Sequence, residues 1–469
     1  MRKKQKTMEE LLEEALVPEE EQPYEVPGNW IWVYSKFLLD FIGGGTPPKG
    51  YNKYWDGDIP WATVKDIKGR YLVTTRDKIT VAGLENSSTT MAYENELLLI
   101  TRMSPGKSTI TKISTAINQD LKIVRPKIQI QPYFLWLFFT VNRTLIESMS
   151  TGTTVKGVQV EKLKKIPFPV PPLKEQIRIA AKVERLLSKI DEAKRLIEEA
   201  KETFELRRAA ILDKAFRGEL TRKWREANLS TTITNNELNE EHYIIPKEWK
   251  WTTIGEITTF VGSGSTPKGG SDIYQTEGIP FIRSQNVLRN KMDIENIVYI
   301  SEEIYSKMKR TQMCGEETLL NITGASIGRA AKLSINLIPC NINQHVCALR
   351  FVDNINKDLP QYWLNSPYIQ KIIREWQIGA TRQALNFPQV RSLPFPLMPK
   401  EEQDELVKII SGLLGKEDKM RILTELDKSI SQLKDSILSK AFRGELGTND
   451  PDEESAIELL KEVLQEQVK

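Results

Sequence analysis

Histidine and cysteine are scarce in this 469-residue chain: there are two of the first, His242 and His345, and three of the second, Cys314, Cys340 and Cys347. Histidine is the commonest metal ligand and general base, so a metallohydrolase or a histidine-based triad has little to be built from. Three cysteines without a CxxC spacing exclude a disulfide frame and predict a reducing, cytoplasmic setting. No apolar run approaches the ~20 residues that span a bilayer. The longest, YFLWLFFTV at 133–141, predicts a buried helix or strand. The opening MRKKQKTMEELLEEAL has no signal-peptide core. A strong charge of one sign is missing too, and a net charge of +3 neither demands nor excludes nucleic acid. With 40% apolar and 28% charged residues, the composition is that of a folded chain of several domains.

Catalytic strings are also absent. There is no GxxxxGK[ST], and no Asn-Pro-Pro-aromatic or Asp-Pro-Pro-aromatic string of the kind that holds a flipped base. GGGTPPKG and GSGSTPKGG follow β-type runs without opening a helix, so they read as loops; phosphate binding by their backbone N–H groups is the alternative. Asn343-Gln344-His345, near Cys340 and Cys347, reads as ordinary core and not as a metal site.

What the chain has instead is a repeat. AFRGEL occurs at 215–220 and again 226 residues later at 441–446. PFP at 167–169 returns at 394–396, Asn118-Gln119 at Asn343-Gln344, IPW at 59–61 as IPF at 279–281, and Trp30 and Trp32 at Trp249 and Trp251. The offset drifts between 219 and 227 residues, as small loop insertions produce, so the whole chain is a tandem duplication.

Each copy has two parts. Residues 24–170 and 243–397 carry short β-type runs between Gly, Pro, Asn and Asp turns, which predicts α+β globular domains. Residues 171–221 and 398–446 begin after a proline cluster and predict long helices. In the first, Val183, Leu186, Ile190, Ala193, Ile197, Ala200, Phe204 and Ile211 step by threes and fours, and Arg207 interrupts the seam. In the second, Leu423, Leu426, Ile430, Leu433 and Ile437 keep the rhythm after Gly412 and Gly415, where a bend or break is expected. The two seams predict an antiparallel two-helix coiled coil; a helix lying on its own globular domain is the alternative. Gly218 reads as the C-cap of the first helix. The remaining segments are an amphipathic N-terminal helix within 1–23, a polar linker at 222–242 and an acidic tail at 447–469.

PFPVPPLKEQIRIAAKVERLLSKID with AILDKAFRGEL, and PFPLMPKEEQDELVKII with ILSKAFRGEL, form an ordered, duplicated set. That set resembles the specificity subunit of type I restriction-modification enzymes over nearly the whole chain. The resemblance implies a pseudo-two-fold pair of target-recognition domains, each reading one half of a split asymmetric DNA site. It implies helical spacers that set the gap and dock two methyltransferase subunits, with restriction/translocase subunits completing the complex. It implies a non-catalytic chain without cofactors, with S-adenosylmethionine, ATP and Mg used by the partner subunits, in the cytoplasm and without a membrane. The specificity subunit of another bipartite-site methyltransferase or nuclease defence assembly is the alternative. A spacer of about 40 helical residues would reach roughly 60 Å, enough for half-sites ~34–36 Å apart on one face of a duplex.

Base readout needs long polar side chains on turns and strand ends. Corresponding places carry Thr63 and Lys65 against Arg283, Gln285 and Asn286; Arg102, Ser104 and Lys107 against Thr323, Ser326 and Arg329; and Thr153, Thr154 and Lys156 against Thr381, Arg382 and Gln383. Lys49 and Lys268, in matching Pro-Lys-Gly turns, are expected on phosphates. Two rival readings stand beside this one: a self-contained enzyme with degenerate motifs, and a protein-interaction scaffold with no DNA role.

Overall fold

The computed structural model describes residues 6–152, 156–229, 242–378, 384–415 and 419–468. The chain divides into two compact units, one of Met1–Leu196 with Leu426–Lys469 and one of Ile197–Glu425.

In the first unit, a five-stranded sheet runs in the order 39–43, 121–126, 97–100, 108–111, 71–72. A four-stranded sheet runs 77–79, 55–62, 115–117, 90–92. The apolar run expected to be buried is the helix Pro132–Val141, opened by Pro132 at its first turn and capped by Gln131, whose side chain accepts from Phe134 N at 2.7 Å. Phe134, Phe138 and Phe139 are all buried in the core. The PFP strand Pro167–Val170 pairs antiparallel with Ile31–Tyr34, setting Pro169 opposite Trp32. Proline is tolerated there because the ladder has only two strands.

The second unit repeats the plan. Its sheet order is 258–263, 346–351, 318–321, 330–332, beside a three-stranded sheet 298–300, 279–282, 341–342. Pro394–Leu397 pairs with Lys250–Thr253, setting Pro396 opposite Trp251. Trp30, Trp32, Trp61, Trp249 and Phe281 are buried, and Trp251 is half-buried.

The first spacer is one 44-residue helix, Leu173–Phe216. The second is two helices, Lys400–Gly415 and Lys419–Phe442, so the helix ends at the expected glycine. In the first unit the start of the first spacer shares a core with the end of the second: Ile179, Val183, Leu187 and Ile190 pack with Ile437, Leu438 and Phe442. In the second unit Leu212 and Phe216 share a core with Leu406, Ile410 and Leu414. Start beside end makes the pair antiparallel.

The phase of the second seam differs from expectation. Leu426 and Leu433 are 45% and 52% exposed, while Leu423, Asp427, Ile430 and Lys434 are half-buried and Ile437 is buried. A helix accommodates steps of three or four, and apolarity pointed to Leu426 and Leu433; packing chose the positions one residue later. In the first helix Ile190 and Ile197 are buried, and Leu186, Phe204 and Ile211 are half-buried. Arg207 is exposed because the seam steps through Arg208 instead.

AFRGEL recurs because it builds the same junction twice. Ala215 and Phe216, like Ala441 and Phe442, are buried, with Phe216 4.8 Å from the Trp363 ring and Phe442 5.0 Å from that of Phe134. Arg217 lies over Tyr243 at 4.7 Å and Arg443 over Tyr24 at 4.6 Å. Gly218 and Gly444 take φ of +75° and +71°, and a Cβ on either would stand 2.3 Å from Pro246 or Pro27. Glu219 N reaches back to Lys214 O at 3.0 Å and Glu445 N to Lys440 O at 2.9 Å, closing each helix in a Schellman turn.

The glutamate of each Glu-Gln pair is buried at the same junction. Glu402 accepts from Thr221 Oγ1 at 2.6 Å, Arg225 Nη1 at 2.5 Å and Trp249 Nε1 at 2.8 Å. Glu175 accepts from Thr448 Oγ1 at 2.7 Å and Arg178 Nη2 at 2.8 Å, and Arg178 also grips Glu453 with two bonds of 2.7 and 2.8 Å. The hydrogen bonds from Arg178 hold the Glu453 carboxyl below the usual carboxylate range, against a smaller opposing effect of burial. The helices Met8–Ala15 and Ile457–Val468 also pack together in the first unit, burying Leu11, Ala15, Leu460 and Leu464. Of the polar linker, 230–241 lies outside the described residues.

Candidate nucleic-acid interface

The loops singled out in each copy converge on a rim at the strand ends. In the first domain the strand Leu97–Ile100 runs into a turn where Thr101 N donates to Asp120 O at 2.9 Å and Met103 N to Lys156 O at 2.9 Å. Arg102 forms a bridge with Gly157, and its guanidinium pairs with Asp120 at 3.3 Å. Asp120 N donates to Asn118 Oδ1 at 3.2 Å, Asn118 N to Ala62 O at 3.0 Å, and Thr46 Oγ1 to Gln119 Oε1. Three loops, around 46–49, 62–66 and 101–107, are thereby held against Asn118–Asp120, and 156–157 is held against the third of them.

The second domain reproduces four backbone and side-chain bonds of this frame. Ile322 N donates to His345 O at 3.0 Å, His345 N to Asn343 Oδ1 at 3.1 Å, Asn343 N to Ile282 O at 3.0 Å, and Thr266 Oγ1 to Gln344 Oε1. Thr323 bridges to Ala384 as Arg102 does to Gly157. The side chains inside the frame differ. Where the first domain sets Arg102 on Asp120, the second sets Thr323 Oγ1 2.5 Å from His345 Nδ1, with Gln344 Nε2 3.1 Å from His345 Nε2. One neutral tautomer satisfies both contacts: Nδ1–H donates to Thr323 and Nε2 accepts from Gln344.

Lys49, Lys65, Arg102, Lys156, Lys268 and Gln285 are exposed. Ser104, Lys107, Thr323, Ser326 and Arg329 are half-buried at the rim. Thr63 is half-buried and caps its own turn through Asp66, at 2.9 Å. Arg283 lies over the Tyr274 ring at 5.4 Å. Asn286 is a correction: it is fully buried, and its amide donates to Asp293 O at 3.2 Å and Asn296 O at 3.1 Å, so it shapes the loop and presents nothing outward. Thr153, Thr154, Thr381, Arg382 and Gln383 lie outside the described residues. Met103, which is exposed, was missed, and so were four rim residues at the Asn-Gln pair: Gln119 and Gln344 are exposed, and Asp120 and His345 are half-buried. The signal for those four was the Asn-Gln pair repeated in both copies, which sequence reasoning used to align the repeat and not to locate a site. Against the core reading of 343–345, Gln344 lies on the surface.

Cys340 and Cys347 are buried, which pushes their thiols up to about 12. Among the described residues no group of His, Cys, Asp and Glu could hold a metal ion, and no helix is long and apolar enough to cross a membrane.

Two stretches, 35–202 and 246–428, match the family model described as the type I restriction modification DNA specificity domain. The chain belongs to that family. Its two matches coincide with the duplication found from AFRGEL. Among relatives, the type I restriction enzyme EcoBI specificity subunit of Escherichia coli is 29% identical over 337 residues, covering 68% of each chain. The MjaIX specificity subunit of Methanocaldococcus jannaschii is 24% identical over 435 residues, covering 90% of this chain and 94% of that one. A chain solved in work on complex assembly and conformational transition of the type I R-M system superposes with a TM-score of 0.62 at 21% identity, covering 90% of this chain and 100% of that one. That likeness shows the fold. This member of the specificity family is therefore an α+β tandem repeat with two long antiparallel helical spacers.

Proposed function

We propose that this type I specificity subunit binds double-stranded DNA without catalysing a reaction, each domain reading one half of a split asymmetric target. The observation that carries the reading is the duplicated rim: one backbone frame with different side chains inside it, Arg102–Asp120 in the first domain and Thr323–His345 in the second. Two copies of one frame dock on two duplex segments in the same way. Different side chains in that frame read different words, with Gln and Arg matched to adenine and guanine edges. Exposed Lys49 and Lys268, at equivalent turns, suit phosphates.

The spacers set the gap between the half-sites and dock two methyltransferase subunits. Ile422, Leu426 and Leu433, all exposed, fall on one face of the second spacer helix at i, i+4 and i+11, which supports a protein partner there. S-adenosylmethionine, ATP and Mg belong to the methyltransferase and restriction/translocase subunits, and the complex works in the cytoplasm. The test is methylome sequencing of a methylation-free host expressing this chain with its methyltransferase subunit, beside hosts expressing each alone. A split asymmetric motif methylated only when both are present is expected. Methylation by this chain alone would refute the non-catalytic reading.

A further inference from the structure

Met103 sits on the rim in a conformation that its residue type disfavours. Its φ is +74°, and it is the only apolar residue other than glycine with positive φ among the described residues; the others are Asp56, Asn95, Asn290 and Glu316. Asp and Asn enter this region readily, whereas a long unbranched side chain gains nothing from it. The equivalent position in the second domain, one residue after Thr323, is Gly324, whose φ is also +74°. The frame thus imposes a left-handed residue at this point in both domains. The second domain fills it with the residue that takes it freely, and the first does not.

Nothing in the packing of the first domain accounts for that choice. The Met103 side chain is 63% exposed, so it is not there to fill a core. Its backbone N–H is fixed to Lys156 O, and its neighbour Arg102 is held by Asp120, so the turn that projects it is pinned on both sides. An exposed thioether flanked by the cations Arg102 and Lys156 does not suit a general apolar partner. It suits a surface that offers phosphates on either side and an apolar group between them. A backbone conformation disfavoured by its own residue is a mark of a functional position when the surroundings hold it in place.

We infer that Met103 is a specificity-determining residue of the first domain, making an apolar contact with a base of its half-site. This rests on the reading of the rim as a DNA interface. Two base chemistries take such a contact: the C5 methyl of thymine in the major groove, and the face of a base in an opened step. The second domain, with Gly324, makes no such contact and reads its half-site through polar groups alone.

The test uses the full chain in complex with its methyltransferase subunits, on duplexes carrying the word found by methylome sequencing. Met103→Gly is expected to melt no lower than the parent while binding the target at least tenfold more weakly, and Met103→Leu to bind within about threefold. Replacing thymines of the first half-site by uracil weakens the parent but not Met103→Gly if the methyl is read. A 2-aminopurine in the half-site brightens with the parent only if a step is opened. Equal binding by Met103→Gly, a lower melting temperature for it, or weaker binding with neither base probe responding overturns the inference. A parent complex that shows no sequence-specific binding overturns the DNA reading itself, a result distinct from any of these.

Discussion

Replacing Glu402 by alanine separates the junction's energetics from its mere geometry. The carboxylate is fully buried and gathers donors from Thr221, Arg225 and Trp249, and the Arg225 side chain is only 11% exposed. Removing it takes from the buried guanidinium its carboxylate at 2.5 Å, leaving it Gly218 O at 2.6 Å, Thr221 Oγ1 at 2.9 Å and Glu248 at 3.8 Å, and takes an acceptor from the Thr221 hydroxyl and the Trp249 indole N–H. Breaking one side of a buried pair costs about 3–5 kcal/mol. The second unit falls in the size range where each kcal/mol moves a melting temperature by about 2–4 °C, so a fall of roughly 6–20 °C is expected. Glu175→Ala at the equivalent position is the internal control. Arg178 is 36% exposed and keeps both bonds to Glu453, so this loss should cost about 1–2 kcal/mol. Scanning calorimetry of the two variants reads the difference directly. If Glu175→Ala destabilises as much as Glu402→Ala, the argument from burial of the partner arginine is wrong.

Gly444→Ala places a Cβ against Pro27 in a left-handed turn and is expected to cost about 2 kcal/mol or more, measured by denaturant midpoint; an unchanged midpoint would count against the junction. The Glu453 carboxyl is depressed by Arg178, so its stabilisation is present above the ordinary carboxylate value and lost as pH falls through the folded one. The melting difference between the parent and Glu453→Gln should therefore be full at pH 7 and shrink below about pH 4; a difference that grows in acid refutes the sign. Gln344→Ala should change only the second half-word and Gln119→Ala only the first, read from the methylome; loss of both words from either change would mean a structural role. Lys268→Ala should weaken binding evenly across sequences and lower the salt slope by about 1, whereas a change of word would place this lysine on a base.

The duplication, the helical spacers and the junction motif were legible because they are carried by exact strings and by a 3.5-residue rhythm. The phase of the second seam was not, because Leu426 and Leu433 offer a regular apolar ladder that the fold leaves outside. The rim was half legible. Its loops announce themselves by Gly, Pro and Ser, but Gln119 and Gln344 are placed by the ends of strands that meet only after the chain folds. Asn286 shows the converse, since a polar residue in a promising loop is consumed by its own turn. The role of Glu175 and Glu402 was hidden for a different reason. Their partners Thr448 and Thr221 lie 273 and 181 residues away, beyond any local pattern.

The first unit draws its core from both extremes of the chain. Phe134 packs on Phe442, and Leu11 shares its cluster with Leu460 and Leu464. A ribosome therefore presents the first recognition domain long before the residues that seal it exist. The second unit, a continuous stretch from Ile197 to Glu425, is complete earlier in synthesis than the first. A nascent or truncated chain that lacks its last turns exposes Phe134 and Phe138, an unfinished surface that quality-control proteases and chaperones recognise. Half-made chains are thus marked for removal by the apolar surface they leave open.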